Sequence, residues 1–392
     1  MNAIKKSLLS FILLILVSGL FGEHHPFHRS LIEFSSDIFR KLSLQNEKNT
    51  FISPVSIYLA LAMAYNGARG NTQKAMAECL KANHISINEL NRFGKEFMAY
   101  IKSLENDVTI NIANSLWIKS SFPVRQNFIQ RNKDFIHAEI NRIAMLPSDV
   151  TRINRWIESK THNRIQNMLS SLDSNSRMLL INAIYFLGNW EQKFLVADTL
   201  IRHFYLTNGK KIKTKLMNRS GEFPYYETAD YQAVCLDYKN QKLGLVVVLP
   251  KKGKKLSQEI AKLNIRQYYQ IINGLSVQAG MVMLPKFKFR YSRNLIPVLK
   301  KMGMSDAFRV HANFSGIHPR TGLFLNMVQH DAFIEVNETG TEAAAATVVG
   351  IAESSASART RPFVFRAERP FYYFIIDKQR KFPFFMGTLY KP

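Results

Sequence analysis

The sequence is poor in cysteine, with Cys79 and Cys235 as the only two among 392 residues. An extracellular protein held together by disulfides carries more cysteines, so we expect the hydrophobic core to supply the stability. Two cysteines alone do not reveal whether they pair, and we expect two buried thiols.

Long apolar runs are also missing, except at the N-terminus. Two lysines at positions 5 and 6 precede the apolar residues 8–17, and small residues follow at 18, 19 and 22. This order is typical of a secretory signal peptide, because the run falls short of the ~20 residues that span a bilayer. We therefore predict a signal peptide over residues 1–22, cleaved after Gly19 or Gly22. The mature protein is expected to be secreted, extracellular and not bound to membranes.

Linkers, low-complexity blocks and internal repeats are absent as well, which favours a single domain over residues 23–392. Hydrophobic residues make up 46% of the chain, enough for a large core. Acidic residues are scarce, with 29 against 53 basic ones, and the formal net charge is +24. Such an excess suggests a polyanionic partner.

The motifs of common enzymes are missing too: no GxSxG elbow, HExxH pair, P-loop or dinucleotide-binding glycine pattern occurs. We predict no catalytic residue, no cofactor and no nucleic-acid partner. Three histidines at positions 24, 25 and 28 fall in what we expect to be a disordered N-terminal tail. We assign them no metal site.

Hydrophobic periodicity predicts helices early in the chain and strands later. Helical spacing covers 29–44, 53–66 and 153–169, and Ser53 is a candidate N-cap with Pro54 in the first turn. Strand-like segments cover 178–186, 231–238, 243–250, 282–291, 331–336 and 371–377. This order is typical of an α+β fold with extensive sheet.

One stretch of small residues, 337–362 (NETGTEAAAATVVGIAESSASARTRP), separates two apolar segments. A loop of this length without secondary structure is usually either functional or a linker. Only thirty residues follow Pro362, so we favour a functional loop over a linker.

Part of this stretch is able to continue a strand. Every second residue from Thr341 to Ile351 is small and uncharged, and such residues share one face of a strand. That face is suited to burial in a sheet. The composition alone leaves open a flexible surface loop or a short helix through EAAAA, because alanine is the best helix former.

Six blocks, spread over the chain, resemble the serpin family. The hinge signature of that family is matched by FIEVNETGTEAAAAT, its central buried helix by FISPVSIYLALAMAYNGARGNT, and its tryptophan-ending strand by LLINAIYFLGNWEQKF. Further matches are INRWIESKTHNRIQNML, LPKFKFRY and RPFYYFI with FPFFMGTLYKP.

The resemblance implies three β-sheets, eight to nine helices and an exposed C-terminal reactive-centre loop at about 338–362. It also implies inhibition of serine or cysteine proteases by a suicide-substrate mechanism, and we expect a monomeric inhibitor of serine proteases. In that mechanism the protease forms an acyl-enzyme at the scissile bond. The freed hinge then inserts into the main sheet, which traps the protease as a covalent complex.

Three groups of residues are carried over from the family by position. The hinge comprises Glu338, Gly340, Thr341, Glu342, Ala343, Ala344, Ala345, Ala346 and Thr347. The network that controls sheet opening comprises Ser53, Ser56, Asn182 and His330. The group at the top of the sheet, where insertion begins, comprises Trp190, Lys286 and Glu338, with a predicted salt bridge between the last two.

The scissile bond is predicted from its usual distance to the hinge. In inhibitory members it follows the fourteenth residue beyond the hinge glycine, which gives Ser354–Ser355 when counted from Gly340. A small residue there suits an elastase-like target. The second choice is Arg359–Thr360, a bond for trypsin-like enzymes that needs a longer hinge.

A non-inhibitory serpin, such as a carrier, chaperone or binding protein, is the alternative. Non-inhibitory members tend to carry bulky, charged or proline residues in the hinge. Here the hinge has Thr341 and four alanines, which favours inhibition.

Two further surface features are predicted. Polyanions such as heparin are expected at two lysine clusters, Lys210, Lys211, Lys213 and Lys215, and Lys251, Lys252, Lys254 and Lys255. Acceptor sequons for glycosylation begin at Asn218, Asn313 and Asn337. The sequon at Asn337 exists because Thr339 stands where the family commonly has an acidic residue. A glycan on Asn337 is expected to hinder insertion of the hinge.

Overall fold

The computed structural model describes residues 25–104, 108–239, 241–341 and 361–392. Its α+β fold confirms the class predicted from the sequence. Within the described residues there are nine α-helices: Pro26–Ser43 (α1), Pro54–Tyr65 (α2), Gly70–Cys79 (α3), Ile87–Lys102 (α4), Gln126–Ile136 (α5), Asp149–Lys160 (α6), Leu256–Lys262 (α7), Ile265–Gly274 (α8) and Ile296–Lys301 (α9).

The strands, over the same ranges, are Thr50–Ile52 (β1), Val108–Lys119 (β2), Glu139–Ile143 (β3), Met178–Asn189 (β4), Leu200–Tyr205 (β5), Lys211–Glu227 (β6), Tyr231–Asp237 (β7), Leu243–Pro250 (β8), Ser276–Pro285 (β9), Phe287–Asn294 (β10), Leu325–Asn337 (β11), Gly340–Thr341 (β12), Phe363–Arg366 (β13), Phe371–Asp377 (β14) and Pro383–Leu389 (β15). One sheet has the order β10-β11-β12-β4-β2-β3. The other has the order β1-β15-β14-β8-β7-β6-β9-β13, with β5 paired to β6.

Strand β6 joins two of the three expected sheets into one hydrogen-bonded unit. Its residues 216–225 pair with β9, and its last three residues pair with β7. Because one long strand serves both neighbours, the described strands form a nine-stranded and a six-stranded sheet.

Helix α2 lies in the centre of the core, and every one of its residues is buried. Ser53 is its N-cap and its hydroxyl accepts a hydrogen bond from the backbone amide of Ser56 at 3.3 Å. The cap and the all-round apolar composition confirm the sequence-based prediction for this helix.

Helix α2 packs against one face of the six-stranded sheet, at β2 and β4. The other face, here called the front face, packs against α6. This contact forms a second apolar cluster that includes Ile153 and Ile157 of α6 and Phe333 of β11. The six-stranded sheet is therefore covered on both faces.

Three sequence-based predictions were wrong in detail. The helix expected over 153–169 ends at Lys160, because His162 and Asn163 are left-handed and Thr161 bonds back to Ile157. The strand expected over 282–291 is two strands, β9 and β10, which meet at Lys286.

The third wrong prediction is the disordered N-terminal tail. His25 caps α1, its side chain accepting a hydrogen bond from the amide of Phe27 at 3.2 Å. His28 is buried and bonds to Tyr269 and to the Arg380 carbonyl. Position 24 lies outside the described residues.

Both thiols are buried and unpaired, as expected. Burial raises the pKa of Cys79 to about 12, so this thiol is not a nucleophile at neutral pH. Among the described residues, no helix combines the length and the apolar character needed to cross a bilayer.

Candidate functional site

The candidate site lies along the seam, defined here as the line where β4 and β11 pair in the six-stranded sheet. Over most of its length the seam is a parallel pair that joins Met178–Tyr185 to Leu325–Phe333. Above that pair, the two-residue strand β12 lies between the two strands. It runs antiparallel to both, with Gly340 opposite Asn189 and Asn337, and Thr341 opposite Gly188 and Val336.

Gly340 is required by close backbone contact. A Cβ atom at this position would lie 2.2 Å from the Gly188 carbonyl oxygen and 2.7 Å from the Asn189 Cα atom. Both are backbone atoms of β4 that cannot rotate away. Any side chain at position 340 would therefore push β12 out of the seam.

Thr341 is completely buried, and its hydroxyl lies 2.7 Å from the Tyr238 hydroxyl. Tyr238 stacks on Trp190, with ring centroids 4.9 Å apart and an angle of 15° between the rings. The Trp190 indole donates to the Asn337 carbonyl at 2.9 Å, and its backbone amide donates to the Thr339 carbonyl at 3.0 Å. These contacts hold the turn that leads into β12.

The turn itself is closed by the Asn337 side chain. Its Oδ1 atom accepts hydrogen bonds from the Thr339 amide at 3.0 Å, the Thr339 hydroxyl at 2.7 Å and the Gly340 amide at 3.3 Å. The Thr339 hydroxyl thus donates a hydrogen bond within the turn. An ionised acidic residue at this position has no hydroxyl group and could not donate it.

Glu338 makes the predicted ion pair. Its carboxylate lies 2.7 Å from the Lys286 ammonium and accepts a hydrogen bond from the Thr199 hydroxyl at 3.0 Å. Burial acts to raise the pKa of Glu338, but the hydrogen bonds and charge of Lys286 and Thr199 outweigh it, so this pKa lies below its usual value. The glutamate is therefore ionised at neutral pH.

The four polar residues expected beneath the sheet lie together where the sheet meets the start of α2. Ser53 and Ser56 belong to the first turn of this helix, and Asn182 and His330 lie on the sheet. Asn182 of β4 donates to the Ser56 hydroxyl at 2.6 Å and lies 2.5 Å from His330 of β11. The Ser53 amide donates to the other ring nitrogen of His330 at 3.4 Å. His330 is thereby assigned as the tautomer that carries its proton on Nδ1.

Burial lowers the pKa of His330 to about 3, so the ring is neutral. The strand register aligns His330 with Asn182 and Asn182 with Asn114, in one row across β11, β4 and β2. Asn114 accepts a hydrogen bond from Asn182 at 2.6 Å. The row crosses the seam at mid-height.

Sequence reasoning missed Tyr238, Thr199 and Asn114. No motif marks any of them, and each reaches the site through tertiary contact. Of the three, only Asn114 is marked in the sequence, because it is a polar residue inside the largely apolar strand β2. Its place beside Asn182 follows only from the strand register.

The two lysine clusters differ in their surroundings. Lys251 pairs with Glu227, and Lys254 lies 2.8 Å from Asp230. In contrast, no ion pair joins Lys210, Lys211, Lys213 or Lys215 to any carboxylate in the described part of the chain. Residues 211, 213 and 215 alternate along β6 and are exposed, so their ammonium groups project from one face of the β5–β6 hairpin.

The three sequons lie in different environments. Asn313 is exposed. Asn218 is only partly exposed in the middle of β6, and its side-chain oxygen is buried. Asn337 is partly exposed at the turn before β12.

Several predicted positions lie outside the described residues. They are the signal peptide at 1–22, the hinge residues Glu342, Ala343, Ala344, Ala345, Ala346 and Thr347, and the candidate scissile-bond residues Ser354, Ser355, Arg359 and Thr360. Within the described ranges, no cluster of three or more histidine, cysteine or acidic side chains is arranged to hold a metal ion.

Comparison with known proteins gives matches over nearly the whole chain. The model of the family described as Serpin (serine protease inhibitor) matches residues 29–392. A serpin-like protein of Thermococcus kodakarensis is 35% identical over 95% of this chain and 87% of its own length. The leukocyte elastase inhibitor of Bos taurus is 34% identical over 92% of this chain and 97% of its own.

A solved structure agrees with these sequence matches. The crystal structure of the thermophilic serpin tengpin in the native state matches with a TM-score of 0.87 and 31% sequence identity. The match covers 93% of this chain and 94% of tengpin.

Proposed function

Because this chain belongs to the serpin family, we propose that it is a secreted suicide-substrate inhibitor of serine proteases. Serpins are mostly inhibitors of proteases rather than catalysts. The single observation that carries the proposal is the placement of Gly340 and Thr341 as a short antiparallel strand inside the seam. From Gly340 to Thr341, β12 runs toward the parallel part of the seam.

The strand geometry indicates why insertion is favourable. Below β12, the two strands of the seam pair in parallel, the slightly less stable arrangement. A strand that continued from Thr341 would run antiparallel to both neighbours. It would replace one parallel ladder with two antiparallel ladders, and its alternate residues from 341 to 351 are small enough to be buried.

The chemistry requires only a loop that a protease accepts as substrate. The protease serine attacks the carbonyl carbon of the scissile bond, and the amine of the next residue leaves. An ester joins the loop to the enzyme. Insertion of the freed hinge then carries the esterified enzyme along the sheet before water attacks. We propose Ser354–Ser355 as this bond, with Arg359–Thr360 as second choice.

The test of insertion is the thermal unfolding midpoint before and after one cut in the loop by a protease that is not trapped. An inhibitory serpin is expected to gain more than about ten degrees, because insertion replaces one parallel ladder of hydrogen bonds with two antiparallel ladders (a net gain on the order of several kcal/mol). An unchanged midpoint would overturn insertion and favour the carrier or chaperone alternative.

Secretion is part of the same proposal. Helix α1 begins at Pro26, and its buried Phe27 belongs to the core. Removal of residues 1–22 would leave this helix and its His25 cap intact. N-terminal sequencing of the secreted protein tests the cleavage, and retention of residues 1–22 would contradict it.

We propose a polyanion site on the β5–β6 hairpin as a second function, because its four lysines carry charge that no described carboxylate neutralises. Two variants, each with four lysines changed to glutamine, form a matched pair, one in 210–215 and one in 251–255. Both lose the same net charge. We expect the variant in 210–215 to elute from heparin at a clearly lower salt concentration than the variant in 251–255. Elution of both variants at the same salt concentration would overturn the hairpin site.

A glycan on Asn337 is proposed to slow insertion, since this residue closes the turn at the mouth of the seam. Attachment at Nδ2 leaves the Oδ1 contacts with Thr339 and Gly340 in place. Asn337→Asp removes the sequon but keeps an oxygen acceptor. Protein from a glycosylating host is expected to inhibit faster with this change, and identical rates would contradict the proposal.

A further inference from the structure

The β5–β6 hairpin has one face against the core and one face in solvent. On the core side Phe204 is completely buried, and Ile212, its partner on β6, is partly buried against the same core. On the solvent side the register pairs Ile201 with Lys215, His203 with Lys213 and Tyr205 with Lys211. Residues directly opposite each other on paired strands have neighbouring side chains. Each of these three lysines therefore lies beside a side chain of β5.

The segment that precedes β5 extends this solvent side. Arg219 lies on the same side of β6 as Lys215, because alternate residues of a strand share a face. The Arg219 guanidinium lies 5.3 Å from the centre of the Phe194 ring. The two residues that follow Phe194 are exposed. We define the hairpin face by its apolar and basic members, which are Leu195, Val196, Ile201, Tyr205, Lys211, Lys213 and Lys215.

Exposed apolar side chains are concentrated on the hairpin face. Among the described residues, nine large hydrophobic side chains are exposed, and four of them lie between positions 195 and 205. Val196 is 73% exposed and Ile201 is 69% exposed. Single apolar residues on a surface are ordinary, whereas a group of them at one place marks an interaction surface. The hairpin face is therefore more than a cluster of charges.

The charge of the hairpin face has one sign. Between Asp198 and Glu222 the sequence contains six lysines or arginines and no acidic residue. The three lysines of β6 stand about 7 Å apart, the distance between alternate residues of a strand. A partner of this surface must therefore carry negative charge and also accept apolar side chains.

An anionic phospholipid bilayer offers both properties. Its headgroups attract lysines, and the boundary with the acyl chains accepts apolar side chains. Tyr205 suits the headgroup level, where aromatic rings with a polar end are enriched. A sulfated polysaccharide has anionic groups but no apolar phase for Val196 and Ile201. A protein partner would need pockets shaped to these protruding side chains, whereas a fluid bilayer needs no such complementarity.

We propose that the hairpin face binds anionic phospholipid bilayers as a peripheral contact. This inference rests on the polyanion site proposed for the hairpin lysines and adds the apolar half of the surface. A spanning segment is not needed, because such contacts reach only about 5–10 Å into the bilayer. The hairpin face thus departs from the expectation that the mature protein does not bind membranes.

The test measures binding of the purified mature protein to vesicles by co-sedimentation. One set of vesicles contains phosphatidylserine in phosphatidylcholine, and the other contains phosphatidylcholine alone. Elution from heparin is measured for the same proteins. Because neither measurement involves a protease, the result does not depend on the inhibitory function.

The main variant combines Val196→Thr with Ile201→Thr. Threonine keeps a branched side chain and replaces a methyl group with a hydroxyl, so the charge of the hairpin face is unchanged. The matched control combines Val277→Thr with Val310→Thr. These two valines are 66% and 60% exposed and lie outside the hairpin face. Because all four side chains are exposed, both variants should fold with the unfolding midpoint of the wild type.

We expect the wild type to bind the phosphatidylserine vesicles and to ignore phosphatidylcholine alone. The main variant should bind the phosphatidylserine vesicles about tenfold more weakly, because two apolar side chains no longer enter the interface favourably. Its elution from heparin should be unchanged, since no charge is lost. The control variant should match the wild type in both measurements.

Equal vesicle binding by the wild type and the main variant overturns the lipid surface. So does a wild type that ignores phosphatidylserine vesicles, and its retention on heparin would then assign the hairpin face to a polysaccharide or an acidic protein.

Failure of the polyanion site gives a different pattern. In that case the lysine variants in 210–215 and 251–255 elute from heparin alike, while the main variant still loses vesicle binding. The two failures are therefore distinguishable.

Discussion

The hydroxyl groups of Thr341 and Tyr238 lie 2.7 Å apart in a completely buried contact. Thr341 is the last residue of β12, and Tyr238 stacks on Trp190, which supports the turn before it. The side chain of this hinge residue is thus already bound in the body of the protein. Changes at either residue should therefore affect both the entry of the hinge into the seam and the stability of the fold.

Replacement of Thr341 by arginine should convert the inhibitor into a substrate. The side chain at this position is buried in the seam, and an unpaired guanidinium cannot be buried there without a cost of several kcal/mol. Cleavage of the loop should proceed, but the number of inhibitor molecules consumed per trapped protease should rise at least tenfold. Thr341→Ser, which keeps the hydroxyl, is the control and should inhibit normally. Undiminished trapping by the arginine variant would show that trapping tolerates a charge at position 341, which would contradict the role proposed for this hinge residue.

Replacement of Tyr238 by phenylalanine should destabilise the protein, because the Thr341 hydroxyl is left buried without its partner. The expected loss is about 1–3 kcal/mol in the free energy of unfolding. Tyr372→Phe is a matched control, since the Tyr372 hydroxyl is buried and has no hydrogen-bond partner among the described residues. Its removal should cost little. Denaturant unfolding of both variants decides the matter, and equal losses would show that the Tyr238 contact contributes nothing specific.

His330 should make the fold sensitive to moderate acid. Its pKa of about 3 in the folded protein lies below the ordinary value of 6.5 in the unfolded chain. Between these two values the unfolded chain binds a proton that the folded protein excludes, so stability falls as the pH is lowered through this window. From pH 7 to pH 5 the loss from this residue is roughly 2 kcal/mol.

The measurement is the free energy of unfolding from pH 7 to pH 5 for the wild type and for His330→Gln. The variant keeps an amide near Asn182 but has no titrating ring. Its free energy of unfolding should therefore fall less than that of the wild type between pH 7 and pH 5. Parallel slopes for the two proteins would mean that acid destabilisation comes from other groups.

Sequence periodicity predicted the elements whose pattern is local. Helix α2 and the apolar strands β4, β7, β8 and β14 were found because their residues are apolar with little interruption, which suits a buried element. Strand β6 was missed, since its first half alternates lysines with less polar residues and its burial arises from neighbours distant in the sequence. The end of α6 was missed because helical spacing continues past Lys160 into residues 161–169. The path of that segment is fixed by contacts with Thr161, Asn154 and Arg290.

The candidate site was predictable only where family resemblance supplied positions. His330 and Asn182 lie 148 residues apart, and only the parallel register of β4 and β11 aligns them. The ion pair between Arg290 of β10 and Asp331 of β11 likewise depends on strand register. No local pattern encodes such contacts.

The most direct measurement is to incubate the purified mature protein separately with elastase, chymotrypsin and trypsin. Denaturing gels and the mass of the released C-terminal peptide are then recorded. We predict a covalent complex with elastase that resists denaturant, and a peptide that begins at Ser355. A peptide that begins at Thr360, with a complex to trypsin, would move the scissile bond to Arg359. Cleavage by all three enzymes without a complex, and without a rise in the unfolding midpoint of the cut protein, would contradict inhibition by strand insertion.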